Sequence, residues 1–140
     1  PFMKPEKVIS KMEELAPQWL QGGIIRPCFF EPTFHKFQGE LCAGVQIHTD
    51  DSIYSHENFK PYRMLAIFFK AIKQLYPQWD LWRQPPYEYE HERLPIDLLT
   101  GGDAFRKWVD DPKSTVKDFD QYLSSEEDKW TKERKAFLLY

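Results

Sequence analysis

Hydrophobic and polar residues alternate most regularly between residues 41 and 48, and this alternation predicts a β-strand. The apolar positions are Leu41, Ala43, Val45 and Ile47. A period of two is typical of a strand with two unlike faces. A β-favouring run over Ile24 to Glu31 comes shortly before it, and the Pro32 to Gly39 connection would join the two as an antiparallel hairpin. Because Pro27 cannot donate to a ladder, we expect the first strand to lie at a sheet edge or to be interrupted.

Apolar residues at helical spacing predict three main helices. The first covers Pro5 to Leu15, and the second, from Pro61 to Tyr76, is apolar around so much of its circumference that we expect it to be the central core helix. The last segment runs from Ser114 to Tyr140. Within it, Ser124 followed by Glu127 could form a capping box that restarts the helix, so the segment is either one helix or two.

Shorter elements and loops are predicted between the main helices. Thr49 to Lys60 is polar and indicates a loop, and Gln78 to Pro95 indicates an ordered loop rich in aromatic residues. Ile96 to Gly102 is typical of a short helical turn ending in glycines. Asp103 is expected to cap a short helix over Ala104 to Val109.

Composition supports a single domain over residues 1–140 with an α+β fold, in which a small antiparallel sheet packs against the central amphipathic helix and other helices flank it. The chain has 140 residues, of which 41% are hydrophobic and 16% aromatic, enough for a substantial core. A net charge of −3 gives no electrostatic footprint for nucleic acid. No apolar run approaches the roughly 20 residues of a membrane span. Because the chain opens at Pro1 with neither Met nor an apolar leader, we expect a cloning or processing boundary there.

The second predicted strand places polar side chains in a row. If its alternate apolar residues face a core, Gln46 and His48 lie on the opposite face, and Asp50 joins them if the strand persists. Such a row could meet a ligand or a partner domain. His48 and Asp50 could also be two metal ligands, but the other histidines lack ligand-like spacing relative to them, so neither a metal site nor a cofactor is expected.

The two cysteines fall one on each predicted strand. In antiparallel pairing, Cys28 and Cys42 could lie roughly opposite and form a disulfide, or remain as two reduced thiols. Cys42 and His48 share a strand face, but six residues of extended chain separate them too widely for a nucleophile and its base.

Rings and carboxylates alternate in the stretch YEYEHE, from Tyr87 to Glu92. On an extended segment the three glutamates would lie on one side, and paired carboxylates are what glycoside hydrolysis requires. Closely spaced glutamates on a polar segment are more often solvent-facing. The aromatic side chains of the same loop could stack on sugar rings or belong to the core.

Four motifs occur in order along nearly the whole chain. They are F-x-P at Phe30 to Pro32, C-x-G-V-Q-I-H at Cys42 to His48, I-D-L-L-x-G at Ile96 to Gly101 and R-x-x-x-L-L-Y at Arg134 to Tyr140. Together they resemble the C-terminal domain of the bacterial exo-β-N-acetylmuramidases of the NamZ type. Four ordered motifs are more specific than any one of them alone.

The resemblance implies a two-domain enzyme that removes N-acetylmuramic acid from the non-reducing end of peptidoglycan fragments, in the periplasm or outside the bacterial cell. In that family an N-terminal Rossmann-like domain carries the catalytic acidic residue and the C-terminal domain closes the substrate cleft. This chain is therefore expected to be the auxiliary domain, inactive alone and without a catalytic residue. Gln46 and His48, with Arg26 and Asp50, are the candidate substrate-binding residues.

The resemblance leaves two other interpretations open. The chain could be a structural module whose apolar surface docks on the catalytic domain, or dimerises, without contacting sugar. It could also carry a hydrolytic site of its own at Tyr87 to Glu92. The expected partners are the N-terminal Rossmann-like catalytic domain and a muropeptide or amino-sugar ligand, with no nucleic acid and no membrane span.

Overall fold

The computed structural model describes residues 2–50 and 52–139, so Asp51 of the predicted polar loop and Tyr140 at the end of the predicted last helix lie outside the described residues. The elements are α1 (Pro5–Leu15), a 3-10 helix (Pro17–Leu20), β1 (Ile24–Phe30), β2 (Cys42–His48), α2 (Pro61–Leu75), α3 (Pro95–Leu99), α4 (Ala104–Asp110), α5 (Val116–Glu133) and a second 3-10 helix (Arg134–Phe137). Within these ranges, five α-helices and one two-stranded antiparallel sheet confirm the predicted α+β class.

Prolines mark the starts of three helices. Pro5, Pro61 and Pro95 each occupy the first turn of their helix, where the missing N–H has no intrahelical acceptor to lose. The sequence predicted the first two of these starts at the same residues.

In the described part of the chain, no helix is long and apolar enough to cross a membrane.

The two strands form a short antiparallel ribbon. Ile24 lies opposite His48 at one end of the ladder, and Phe30 lies opposite Cys42 at the other. Both strands are edge strands of the two-stranded sheet that the described residues form, which accommodates the proline within β1 as predicted.

The predicted core face of β2 is buried only in part. Leu41 precedes the strand and is 68% exposed, and Ile47 is 38% exposed, whereas Cys42 on the opposite face is only 5% exposed. Two-stranded ribbons twist strongly, so one face does not stay against the helices along the whole ribbon. At the other end the predicted face does meet the core, because Ile25, which lies opposite Ile47 and projects to the same side, packs against it.

The core lies between the helices. Both strands contact α1, and α1 packs along α2, which has buried residues over most of its length. Helices α4 and α5 close the other side, where the rings of Trp108 and Phe119 stack with centroids 4.5 Å apart. The buried hydrophobic residues of the core are Val8, Met12, Ala16, Trp19, Met64, Ala66, Ile67, Ala71, Ile72, Trp82, Phe105, Trp108, Val109, Phe119 and Leu123.

Of the two alternatives left open for the last segment, the structure shows a single α-helix that continues through Ser124. Helix α5 begins instead at a capping box in which Thr115 Oγ1 accepts the backbone N–H of Asp118, and the Asp118 carboxylate accepts the backbone N–H of Thr115. Asp103 occupies the predicted N-cap position of α4, but its side chain makes no capping hydrogen bond. This residue has a helical conformation rather than the extended one that capping favours, and its carboxylate pairs with Lys107 Nζ at 2.7 Å.

Candidate functional site

Three of the predicted binding residues share one face of the ribbon. Arg26 lies directly opposite Gln46 in the ladder, so the two side chains project to the same side of the sheet. His48 lies two residues further along β2 and therefore projects to that side as well. Arg26 and Gln46 are exposed and His48 is partly buried, which places a guanidinium, an amide and an imidazole side by side at the surface. We call this set the polar row.

Asp50 lies just beyond the end of β2 and extends the polar row. Its Oδ1 is 3.6 Å from Nδ1 of His48, too long for a strong hydrogen bond but close enough for electrostatic attraction to a protonated imidazole. The Asp50 side chain is largely exposed, so it is accessible to a ligand. All four predicted binding residues thus lie at the same end of the ribbon.

Within residues 2–50 and 52–139, the remaining reactive groups form neither a metal centre nor a disulfide. Cys28 lies opposite Gly44 and Cys42 lies opposite Phe30, so the two cysteines are offset by two residues along the ladder. Both thiols are free. Among the described residues, no group of three or more His, Cys, Asp or Glu side chains could hold a metal ion.

An apolar cleft opens at the other end of the ribbon, and sequence reasoning did not identify it. Its volume is about 340 Å³, and it lies between the ribbon, the connecting loop and α2. The residues that form most of its wall are Phe2, Met3, Phe30, Phe37, Phe68 and Ile72. The sequence feature that could have indicated this cleft is the run FFEPTFHKF at residues 29–37, which has too many phenylalanines for a connection that faces only water.

The aromatic loop divides between core and surface. Trp82 is buried, stacks on Phe69 at 5.6 Å and donates its indole N–H to the Asp110 carboxylate at 2.9 and 3.1 Å. Trp79 stacks on Phe2 with centroids 4.1 Å apart. Tyr89 is exposed. The loop is therefore ordered mainly by packing, and its Trp82 ring is not available to a sugar.

The predicted extended arrangement of YEYEHE is wrong. Tyr87 and Glu90 pair through backbone hydrogen bonds of 2.9 and 3.0 Å around a tight turn, in which Glu88 has a φ of +52°. This turn breaks the alternation that would have placed three carboxylates on one side.

The Glu90 carboxylate serves as an acceptor inside this turn. Its pKa falls to about 2, mainly because it accepts the backbone N–H of Glu92, and also because it accepts the side chain and the backbone N–H of Arg93. At neutral pH it is ionised, so it cannot act as the general acid of glycoside hydrolysis.

Comparison with known proteins confirms the resemblance. The family model described as "Exo-beta-N-acetylmuramidase NamZ, C-terminal" matches residues 1–140. A curated relative, peptidoglycan β-N-acetylmuramidase NamZ of Bacillus subtilis (strain 168), is 27% identical over 140 residues, and the match covers 100% of this chain and 30% of the relative. The chain thus spans less than a third of the relative's length. No solved structure is significantly similar to it. Because the family model covers the whole chain, the chain belongs to the NamZ C-terminal domain family.

Proposed function

We propose that this chain is the accessory domain of a peptidoglycan exo-β-N-acetylmuramidase and that the polar row forms part of the wall of the substrate cleft. The observation that carries the proposal is the position of Arg26 opposite Gln46, with His48 on the same face, within a chain of this family. The catalytic acid is assigned to the rest of the parent protein, in an N-terminal Rossmann-like domain. Peptidoglycan as substrate would place the parent in the periplasm or outside the bacterial cell.

The chemistry of the polar row suits a muramic acid residue. N-acetylmuramic acid carries a carboxylate, an acetamido group and hydroxyls. A guanidinium binds a carboxylate through two parallel hydrogen bonds, which makes Arg26 the candidate for that group. The Gln46 amide both donates and accepts, so it can pair with the acetamido group or a hydroxyl. His48 offers a further ring nitrogen, and the Asp50 carboxylate lies 3.6 Å from Nδ1 of the same ring.

The test is a Gln46→Ala, His48→Ala double variant of the full-length parent enzyme, assayed on a chromogenic N-acetylmuramic acid glycoside. Two lost hydrogen bonds at about 1 kcal/mol each predict a fall in kcat/KM of about thirtyfold, with an unchanged melting temperature. A Gln84→Ala, His91→Ala double variant is the control, since it removes the same residue types from exposed positions outside the polar row. Unchanged turnover in the first variant would contradict a role in the cleft.

A second assay tests the accessory assignment itself. The 140-residue chain is assayed alone and then after mixing with the separately expressed catalytic part of the parent. Activity that arises only in the mixture supports an accessory domain. Activity of the chain alone would contradict it and would return attention to the carboxylates of Tyr87 to Glu92.

A further inference from the structure

We infer that the apolar cleft is the site at which the preceding domain of the parent protein docks, by inserting an apolar side chain between the ribbon and α2. The inference rests on the proposed function, because it takes this chain to be an accessory domain. It adds the surface through which the two domains are held together.

The cleft is built to receive an apolar group. Phe30 and Phe37 stand on one side, Phe68 and Ile72 on the other, and both Phe30 and Phe37 remain about half exposed. Exposed apolar surface costs about 25 cal/mol per Å², so aromatic rings that stay half open to water favour a partner that covers them. The volume of about 340 Å³ is at the lower end of the range for small-molecule pockets, about 300–1,000 Å³, which suits one or two inserted side chains.

The point at which this chain connects to the rest of the parent protein favours the preceding domain as the occupant of the cleft. This chain corresponds to 30% of the relative it matches, and the family is the C-terminal domain, so in the parent the larger part precedes it. Phe2 forms part of the cleft wall and is held there by stacking on Trp79, while the Lys4 backbone N–H donates to the Tyr76 hydroxyl at 3.0 Å. The preceding polypeptide therefore joins this domain at the cleft.

A tethered domain has an advantage over any free partner. A short linker raises the local concentration of the tethered partner to the millimolar range, so a modest apolar contact suffices to hold it. Lys36 also lines the cleft, and its ammonium would pair with a carboxylate beside the inserted side chain. An aromatic or aliphatic anchor with an acidic neighbour is therefore the chemistry expected of the docking segment.

The cleft and the polar row lie on the same face of the ribbon. Cys42 lines the cleft and lies on the same ribbon face as Gln46, four residues away, a distance of about 13 Å along a strand. A domain seated in the cleft would thus stand beside the polar row. The space between the two domains would be walled on this side by Gln46 and its neighbours.

Hydrogen–deuterium exchange tests the inference on the intact parent and on the 140-residue chain. We expect the loop at residues 31–41 to exchange about tenfold or more slowly in the intact parent than in the chain alone, because docking would bury it. Phe37→Asp in the intact parent should restore the fast exchange, and Phe37→Ser should do the same with less disturbance of folding. Leu99→Asp is the matched control, since Leu99 is an exposed apolar residue on α3 outside the cleft, and it should leave the protection intact.

Two results would overturn the inference. Equal exchange of the loop in both proteins would show that nothing covers the cleft in the parent. Protection in the isolated chain that grows with protein concentration would assign the cleft to a second copy.

The same preparations separate this inference from the proposed function. Loop protection combined with normal turnover of the Gln46→Ala, His48→Ala variant supports docking and contradicts the cleft role. An unprotected loop with reduced turnover overturns docking alone.

Discussion

The Nζ atom of Lys70 lies 2.6 Å from the carbonyl oxygen of Trp108, inside the core. The lysine is only 2% exposed, and the same ammonium also donates to the Asp111 carbonyl at 2.7 Å and the Ser114 hydroxyl at 2.8 Å. Carbonyls at the end of a helix have no hydrogen-bond donor within the helix. The Lys70 ammonium donates to the Trp108 carbonyl at the end of α4 and thereby links α4 to α2. Burial lowers the pKa of Lys70, and the nearby charges of Asp111 and Asp110 partly oppose that shift.

Lys70→Met is expected to destabilise the domain by about 2 kcal/mol or more. Methionine can fill much of the space of the aliphatic stem but cannot donate, so the Trp108 and Asp111 carbonyls lose their charged donor and keep only the hydrogen bonds from Ser114. A hydrogen bond from a charged group contributes about 1.5–3 kcal/mol. The measurement is the free energy of unfolding from urea denaturation.

Lys73→Met is the matched control for Lys70. Lys73 lies on the same helix, is partly exposed and pairs with Asp110 at 3.4 Å, so its replacement should cost less than about 1 kcal/mol. Equal losses in the two variants would show that the ammonium of Lys70 does not support the end of α4.

Gly22→Ala is expected to be more damaging than any other glycine-to-alanine change in a turn of this chain. Gly22 has a φ of +82°, and an added Cβ would lie 2.5 Å from the Phe59 backbone nitrogen and 2.7 Å from the Ser55 carbonyl oxygen. The positive φ alone costs about 1–3 kcal/mol, and the backbone contacts add to it.

Gly39→Ala separates these two causes. Gly39 also has a positive φ, +73°, but an added Cβ would meet nothing within 4 Å. Its replacement should therefore cost only the conformational part, measured by the shift in the urea midpoint. If Gly39→Ala proved as costly as Gly22→Ala, the close approach of residues 55–59 to Gly22 would not matter for stability.

Acid sensitivity should depend on Glu90. Its pKa of about 2 lies below the ordinary value of 4.5, so between these pH values the unfolded chain binds more protons than the folded chain. The stabilisation by this carboxylate is thus complete above pH 4.5 and is lost as the pH falls towards 2. Melting temperatures measured between pH 2 and 7 should fall less steeply on the acid side for Glu90→Gln than for the wild type.

Glu88→Gln provides the control for acid sensitivity, because Glu88 is exposed and lies in the same turn. It should keep the acid dependence of the wild type. If the melting temperatures of Glu90→Gln and the wild type fell equally steeply at acid pH, this would contradict the role of Glu90 as acceptor of the turn's N–H groups.

Much of the helical framework follows from local signals in the sequence. Proline at the first turn indicated the starts of α1 and α2, and apolar spacing indicated that both helices contribute to the core, although Leu65 of the apolar pattern on α2 is exposed and Met64 is buried. The surface of the ribbon could not be predicted in the same way, because burial there depends on twist and on what packs at each end. Leu41 satisfied the period-of-two pattern and is nevertheless exposed, whereas Cys42 is buried.

The candidate site likewise combines residues that the sequence indicated with contacts that depend on the fold. A sequence motif indicated Gln46 and His48, but the position of Arg26 opposite Gln46 depends on the register of the hairpin. The cleft requires Phe37, on a loop, to approach Phe68 on a distant helix, and no local pattern encodes that contact. The Glu90 turn shows the reverse case, since hydrogen bonds from backbone N–H groups to one carboxylate outweigh an alternation typical of an extended segment.

The beginning of α5 offers a last test, because two places in the sequence fit a capping box equally well. Thr115 is followed three residues later by Asp118, and Ser124 by Glu127. In the structure only the first pair caps a helix: Ser124 lies within α5, with its hydroxyl 3.5 Å from Nη2 of Arg63. We expect Thr115→Ala to lower the free energy of unfolding by about 1 kcal/mol, because the Asp118 backbone N–H loses its acceptor.

Ser124→Ala should change stability by only a few tenths of a kcal/mol, in either direction. Alanine has the higher helix propensity, which offsets the weak contact with Arg63. Urea denaturation of both variants gives the two free energies, and amide exchange at Asp118 should accelerate in Thr115→Ala alone. A larger loss in Ser124→Ala than in Thr115→Ala would mean that α5 is two helices in solution, with its second half anchored at Ser124 rather than propagated from Thr115.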